Sequence, residues 1–210
     1  RSSDLTVICT DKTGTLTRNQ MNVYKANFYG LGDALPAEDE LGNLIREGIA
    51  VNSTAFLDYS DPGQIKALGN PTEGALLLWL HGQGVNYLDL RENARVLEQL
   101  TFSTERKYMA TVVDSPLLGK KVLYVKGAPE IVLGNCATVR TPDGETDAAA
   151  MRPAIEEQLL PYQNQAMRTL GFAYRILDDD APVFQDGKLA RHDLVYLGIT
   201  AISDPVRDDV

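Results

Sequence analysis

The sequence predicts an α+β fold, an antiparallel sheet flanked by helices. Three observations carry that expectation. Strand-like runs at about 95–102, 108–113 and 121–126 are separated only by a short polar segment, 103–107, and by the turn Ser115-Pro116-Leu117-Leu118-Gly119, the pattern of a meander. Two helical stretches precede the meander. A long helical segment and two further strand patterns, 172–176 and 194–201, follow it.

Taken in order, the apolar run Leu5-Thr6-Val7-Ile8-Cys9-Thr10 reads as a buried strand, and 21–29 alternates as a second. Between 36 and 54, Leu41, Leu44, Ile45 and Ile49 fall at helical spacing. Residues 58–69 read as loop. Asn70-Pro71-Thr72-Glu73 opens the next helix, with Asn70 as N-cap, Pro71 in the first turn and Glu73 at the third position. That helix is expected to end near 82–84. A short helix is expected at 129–133. Residues 147–170 read as one long helical segment with Pro153 near its start and Pro161 inside, where a break or kink is expected. Asp178-Asp179-Asp180 marks an acidic loop, and no internal repeat is visible.

Composition narrows the function. The chain has 210 residues, 44% hydrophobic and 23% charged, ordinary for a globular protein. A domain of this size buries roughly 70% of its unfolded surface and needs no disulfide. The net charge of −9 argues against nucleic acid or an anionic membrane as partner. Cys9 and Cys136 form no metal-ligand spacing and suit a reducing compartment. His81 and His192 lie far apart in polar surroundings and read as surface residues, not zinc ligands. The longest strongly apolar stretch, Ala75-Leu76-Leu77-Leu78-Trp79-Leu80, is too short to cross a bilayer.

Chemistry concentrates in Asp11-Lys12-Thr13-Gly14-Thr15-Leu16-Thr17, directly after the first strand. A carboxylate just past the C-terminal end of a buried strand sits where α/β sheets place reacting groups. The Gly/Thr-rich turn behind it offers N–H groups and hydroxyls to phosphate oxygens. Asp11 therefore reads as a nucleophile that accepts a phosphoryl group from a nucleotide. Two residues on stands Thr13 rather than a second Asp, so nothing nearby activates water and the phosphoenzyme is expected to persist.

The chain has neither a GxxxxGKS/T loop nor GxGxxG, so a nucleotide must be held by other means. Four segments are candidates, each with a plainer reading beside it. Glu73, in Gly69-Asn70-Pro71-Thr72-Glu73-Gly74-Ala75-Leu76, can accept from an exocyclic amino group, but also completes a capping box. Phe102, in Phe102-Ser103-Thr104-Glu105-Arg106-Lys107-Tyr108-Met109, can stack on a base or fill the core. In Val125-Lys126-Gly127-Ala128-Pro129-Glu130, a Lys followed by Gly places a cation where backbone can approach closely, or is an exposed strand-to-helix turn. Arg168, in the stretch from Met167 to Arg175, can clamp phosphate or close a helix.

DKTGTLT is the signature of the P-type ATPases, pumps that pass through an aspartyl-phosphate, and the flanking Ile8-Cys9-Thr10 and Asn19-Gln20-Met21 extend the match. The four later segments resemble, in the family's order, its TE-x-AL, F-S-x-x-R-K-x-M, KGAPE and R-x-L-x-x-A motifs. Asp204-Pro205-Val206-Arg207 resembles DPPR, with Val206 where the family has Pro. The match runs from residue 4 to 210, and its wording is most similar to bacterial calcium-type pumps. The resemblance implies that ATP and Mg²⁺ are bound. Adenine would face Glu73 and stack on Phe102, with Ser103, Lys107, Met109, Lys126 and Gly127 around the nucleotide and Arg168 on a β-phosphate. Asp204 and Arg207 would contact it when domains close. Asp11, with Lys12 and Thr13, would be phosphorylated, and Asp11 and Thr13 would hold Mg²⁺ in the intact pump. Reticulum-type calcium pumps have Arg at Thr104, so a phosphate contact there is either absent or supplied by Arg106.

The implied organisation is a nucleotide-binding domain over 21–202, inserted into a truncated Rossmann-like phosphorylation domain represented by 1–20 and 203–210. The implied partners are ATP and the pump's phosphorylation, actuator and membrane domains. The implied setting is the cytoplasmic side of a bacterial inner or plasma membrane, with no direct membrane contact. The family's other Mg²⁺-binding Asp and catalytic Lys come after residue 210, so this chain is expected to bind ATP without turning it over. Two alternatives stand: a soluble phosphatase of the haloacid-dehalogenase type, which Thr13 disfavours, and a pump-derived interaction module that no longer binds ATP.

Overall fold

The computed structural model describes residues 20–205. In chain order the elements are β1 (Asn22–Phe28), α1 (Glu40–Val51), β2 (Phe56–Asp58), β3 (Lys66–Leu68), α2 (Pro71–Gly82), α3 (Tyr87–Asn93), β4 (Arg95–Leu100), β5 (Tyr108–Ser115), β6 (Lys120–Gly127), α4 (Pro129–Leu133), β7 (Cys136–Thr141), β8 (Gly144–Asp147), α5 (Ala148–Asn164), β9 (Arg168–Leu177), β10 (Phe184–Gln185), β11 (Lys188–Leu189) and β12 (Leu194–Ser203).

One eight-stranded sheet organises them, in the order β4-β5-β6-β9-β12-β7-β8, with β1 also on β12. Along one edge β12 pairs with β9; along the other, its C-terminal half pairs with β1 and its first residues with β7. The β7–β12 pairing is parallel, a departure from the expected all-antiparallel sheet. The crossover through β8, α5 and β9 that separates these strands in sequence permits that direction.

Central strands bury both faces, which is why β6 and β12 read as near-continuous apolar runs. On β6, Val122 and Tyr124 pack with α1 and α2, while Leu123 and Val125 pack with α4 and α5. Helices thus cover both sides. α2 is apolar around most of its circumference and lies inside the first of these cores, with Leu76, Leu77 and Leu80 buried. Short of bilayer length, this is an interior helix, and no helix among the described residues is long and apolar enough to cross a membrane.

The differences from expectation have local causes. Within 58–69 lies part of a small hairpin, β2–β3, whose strands of three residues are too short to show a period. α5 ends at Asn164 and not at 170, because Met167 N–H bonds Tyr162 O and Ala166 N–H bonds Gln163 O, closing a Schellman cap. The helix runs through Pro153 and Pro161. The N–H that Pro161 lacks would have met the carbonyl of Glu157, and both residues lie on the exposed face, where a carbonyl left without that partner is open to solvent.

Candidate functional site

A cleft of about 440 Å³ opens where α2 begins and where β6 ends. The first turn of α2 contributes Asn70, Thr72 and Glu73. The loop before β5 contributes Phe102, Thr104 and Lys107, and β5 itself Met109. Lys126 and Gly127 form the end of β6, and Arg168, Thr169 and Leu170 the start of β9. Segments separated by up to a hundred residues converge because β5, β6 and β9 are neighbours in the sheet, with Gly127 opposite both Tyr108 and Gly171.

Glycine at 127 is required by this convergence. A Cβ there would stand 2.3 Å from Lys107 O and 2.6 Å from Tyr108 Cα. The close approach lets Ala128 N–H donate to Lys107 O at 2.9 Å. Lys107 adopts φ +65°, unusual for a residue with a side chain. Its own N–H donates to Ser103 O at 2.7 Å, and Arg106 N–H to Ser103 Oγ at 3.0 Å. The loop carrying Phe102 is thereby tied at both ends, and the Phe102 ring is left 57% exposed beside the cleft instead of filling the core.

The floor is an ion pair. Lys126 Nζ lies 2.7 Å from Glu73 Oε2, with both side chains buried. Lys126 also donates to Asn52 O, and its third direction faces Met109 Sδ at 3.7 Å. Glu73 accepts from Thr54 N–H at 3.1 Å on Oε2 and from Thr54 Oγ1–H at 2.8 Å on Oε1. Its carboxylate therefore does not reach back to the N-cap, where Asn70 Oδ1 alone accepts from Thr72 and Glu73 N–H. Behind the pair, Asn52 Nδ2 donates to Met109 O and Asn52 Oδ1 accepts from Thr111 Oγ1.

Burial pushes the Glu73 carboxyl up, but the Lys126 charge and the Lys126 and Thr54 hydrogen bonds outweigh it and hold the group below the usual carboxylate range. Burial pulls Lys126 below the usual lysine value; Glu73 pulls it back, and Arg91 lowers it again. The pair is charged on both sides, since Glu73 meets only donors and Lys126 only acceptors.

Of the residues singled out from sequence, the cleft gathers Glu73, Phe102, Lys107, Met109, Lys126, Gly127 and Arg168. Ser103 serves the turn and does not line the cleft. Arg106 donates to Thr101 O and Gly187 O, so its guanidinium is committed outside the cleft, whereas Thr104 lines it. Arg168 opens a strand and does not close a helix. Asp204 follows β12 and is not among the lining residues. Asp11, Lys12, Thr13 and Arg207 lie outside the described residues. Thr54, Asn52 and Thr111 were not foreseen. Each is a small polar residue with no motif of its own, and only the fold shows what it touches.

Comparison with known proteins adds the family. Residues 40–209 match the model of the P-type ATPase cytoplasmic domain N. The chain belongs to the P-type ATPases. Among relatives of this P-type domain, the calcium-transporting ATPase PAT1 of Dictyostelium discoideum is 34% identical, covering 98% of the chain and 19% of that protein. Calcium-transporting ATPase 1 of Lactococcus lactis is 33% identical over 97% of the chain and 23% of its own length. The plasma membrane calcium-transporting ATPase 4 of Bos taurus is 32% identical over 98% and 18%. The chain thus spans about a fifth of the length of these P-type relatives, which come from amoeba, bacterium and mammal alike.

Proposed function

We propose that this chain is the ATP-binding part of a calcium-transporting P-type pump and that the cleft at the end of β6 receives the nucleotide. The observation that carries the reading is convergence: seven residues from four separated motifs line one cleft. The adenine stacks on the exposed Phe102 ring, an interaction worth roughly 1–3 kcal/mol per base. The carboxylate of Glu73 accepts from the exocyclic amino group. The phosphates extend toward Lys107 and Arg168, two cations whose side chains have room to turn toward them. Lys126 serves as the floor, its donors already taken by Glu73 and Asn52, and supports the carboxylate more than the phosphates.

In the whole pump Asp11 is the residue phosphorylated, with Mg²⁺ held by Asp11 and Thr13; both lie outside the described residues. Residues 21–202 are the inserted domain and 1–20 and 203–210 the parts of a Rossmann-like phosphorylation domain on either side. This division is favoured by the pairing of Asn22 with Ser203, which brings the two ends of the domain together. The parent is a membrane protein with this domain on its cytoplasmic side, and calcium as its ion is inferred from the names of its relatives.

One stacked base and a few exposed phosphate contacts, set against association entropy, suggest a Kd on the order of 0.1–10 mM. Titration with ATP followed by amide NMR tests the reading. Saturable shifts at Glu73, Phe102 and Lys126 are expected, and Phe102→Ala should weaken binding by about tenfold. Absence of saturable shifts at several times the upper Kd would point instead to an interaction module without nucleotide.

A further inference from the structure

Thr54 stands outside the cleft, yet it governs the one carboxylate within it. It follows Asn52, the C-cap of α1, in a turn closed by Ala55 N–H on Ser53 Oγ at 3.2 Å. Asn52 is itself fixed by Thr111 and Met109 O, so the turn has a rigid base. From there Thr54 delivers two donors to Glu73, its N–H to Oε2 and its hydroxyl to Oε1. Lys126 adds a second donor at Oε2.

A carboxylate oxygen accepts along two directions. Oε2 is filled by Thr54 N–H and Lys126; Oε1 has one direction filled by the Thr54 hydroxyl and one left. We propose that Thr54 is a positioning residue that sets the purine preference of the cleft, by holding Glu73 so that a single acceptor direction, on Oε1, remains for the base. The inference rests on the reading of the cleft as a nucleotide site. A purine with an amino group at position six donates to that direction. A purine with a carbonyl there sets oxygen against oxygen, leaving that carbonyl and the remaining Oε1 direction without a donor in a partly desolvated cleft, which costs affinity. Without the hydroxyl, Oε1 regains its second direction and the carboxylate is anchored at Oε2 alone. It can then turn about its terminal torsion, a broad and easily rotated one, and admit water, and the distinction fades.

The test compares ATP with inosine triphosphate, which differs in carrying a carbonyl at position six, on the full chain by NMR titration. The wild type should prefer ATP by about tenfold, the value of one hydrogen bond to a charged group. Thr54→Val, at an exposed position that tolerates the change, should bring the preference to about twofold or less. Thr54→Ser, which keeps the hydroxyl, should retain the wild-type ratio. Thr54→Ala provides the same reading as Val should the branched side chain perturb the turn. A Thr54→Val protein with the wild-type ratio, or one weakened equally for both nucleotides, overturns the inference while leaving the nucleotide site standing. A wild type that binds neither nucleotide overturns both.

Discussion

Two buried glutamates show how a residue's neighbours decide its chemistry. Glu73 has a cation beside it; Glu47, on α1, has only the hydroxyls of Tyr124 at 2.6 Å and Ser115 at 2.8 Å. Burial therefore dominates at Glu47 and raises its carboxyl above the ordinary value of 4.5, although both hydroxyls oppose it. A raised group contributes stability below 4.5 that is lost as pH rises through its folded value. The lowered Glu73 contributes stability above 4.5 that is lost as pH falls through its folded value. Urea unfolding across a pH series should show both limbs. Glu47→Gln is expected to flatten the fall on the alkaline side, and Glu73→Gln the fall on the acid side while lowering stability at neutral pH by about 1–3 kcal/mol. Phe102→Ala, in contrast, should leave the unfolding free energy within about 0.5 kcal/mol of wild type, because the ring is largely exposed. Glu73, Phe102, Lys126 and Arg168 were legible in the sequence because each sits in a motif of several residues. The residues that orient them were not, since Thr54 and Asn52 meet Glu73 and Lys126 only through contacts 19 and 74 positions away.

At the level of elements, α5 carries a detectable misfit. Its Schellman cap places Ala166 at φ +59°, where the family of such caps favours glycine. Ala166→Gly should remove the left-handed penalty and raise stability by about 1 kcal/mol, read as a higher Tm with unchanged ATP affinity. The same cap explains why the helix stops short of the strand that carries Arg168, a boundary that no glycine or proline announces. Elements buried on both faces, such as β6 and β12, were readable from their apolar runs, and α2 from its cap Asn70-Pro71. β7 and β8 were not, because they lie toward the sheet's edge with mostly polar, partly exposed residues and only Val139 fully buried. α3, seven residues long, holds a single buried side chain, Tyr87, and gives too little periodicity to read.

On the scale of the whole molecule, the sheet serves as a frame on which one cleft is assembled from distant segments. On the proposed reading, this frame holds the nucleotide and chemistry requires the rest of the pump. The 210-residue chain incubated with ATP and Mg²⁺ should therefore acquire no covalent phosphate on Asp11 by peptide mass spectrometry, and a phosphorylated Asp11 peptide would overturn that division of labour. The antiparallel pairing of β1 with β12 has one more consequence, a mechanical one. Because Asn22 lies opposite Ser203, a pulling force applied across the two ends loads the ladder one rung at a time, as a zipper opens, and never all rungs in shear. In a single-molecule pulling experiment the domain should yield at low force, with β1 peeling from β12 first while the β4-β5-β6-β9 half holds its shape.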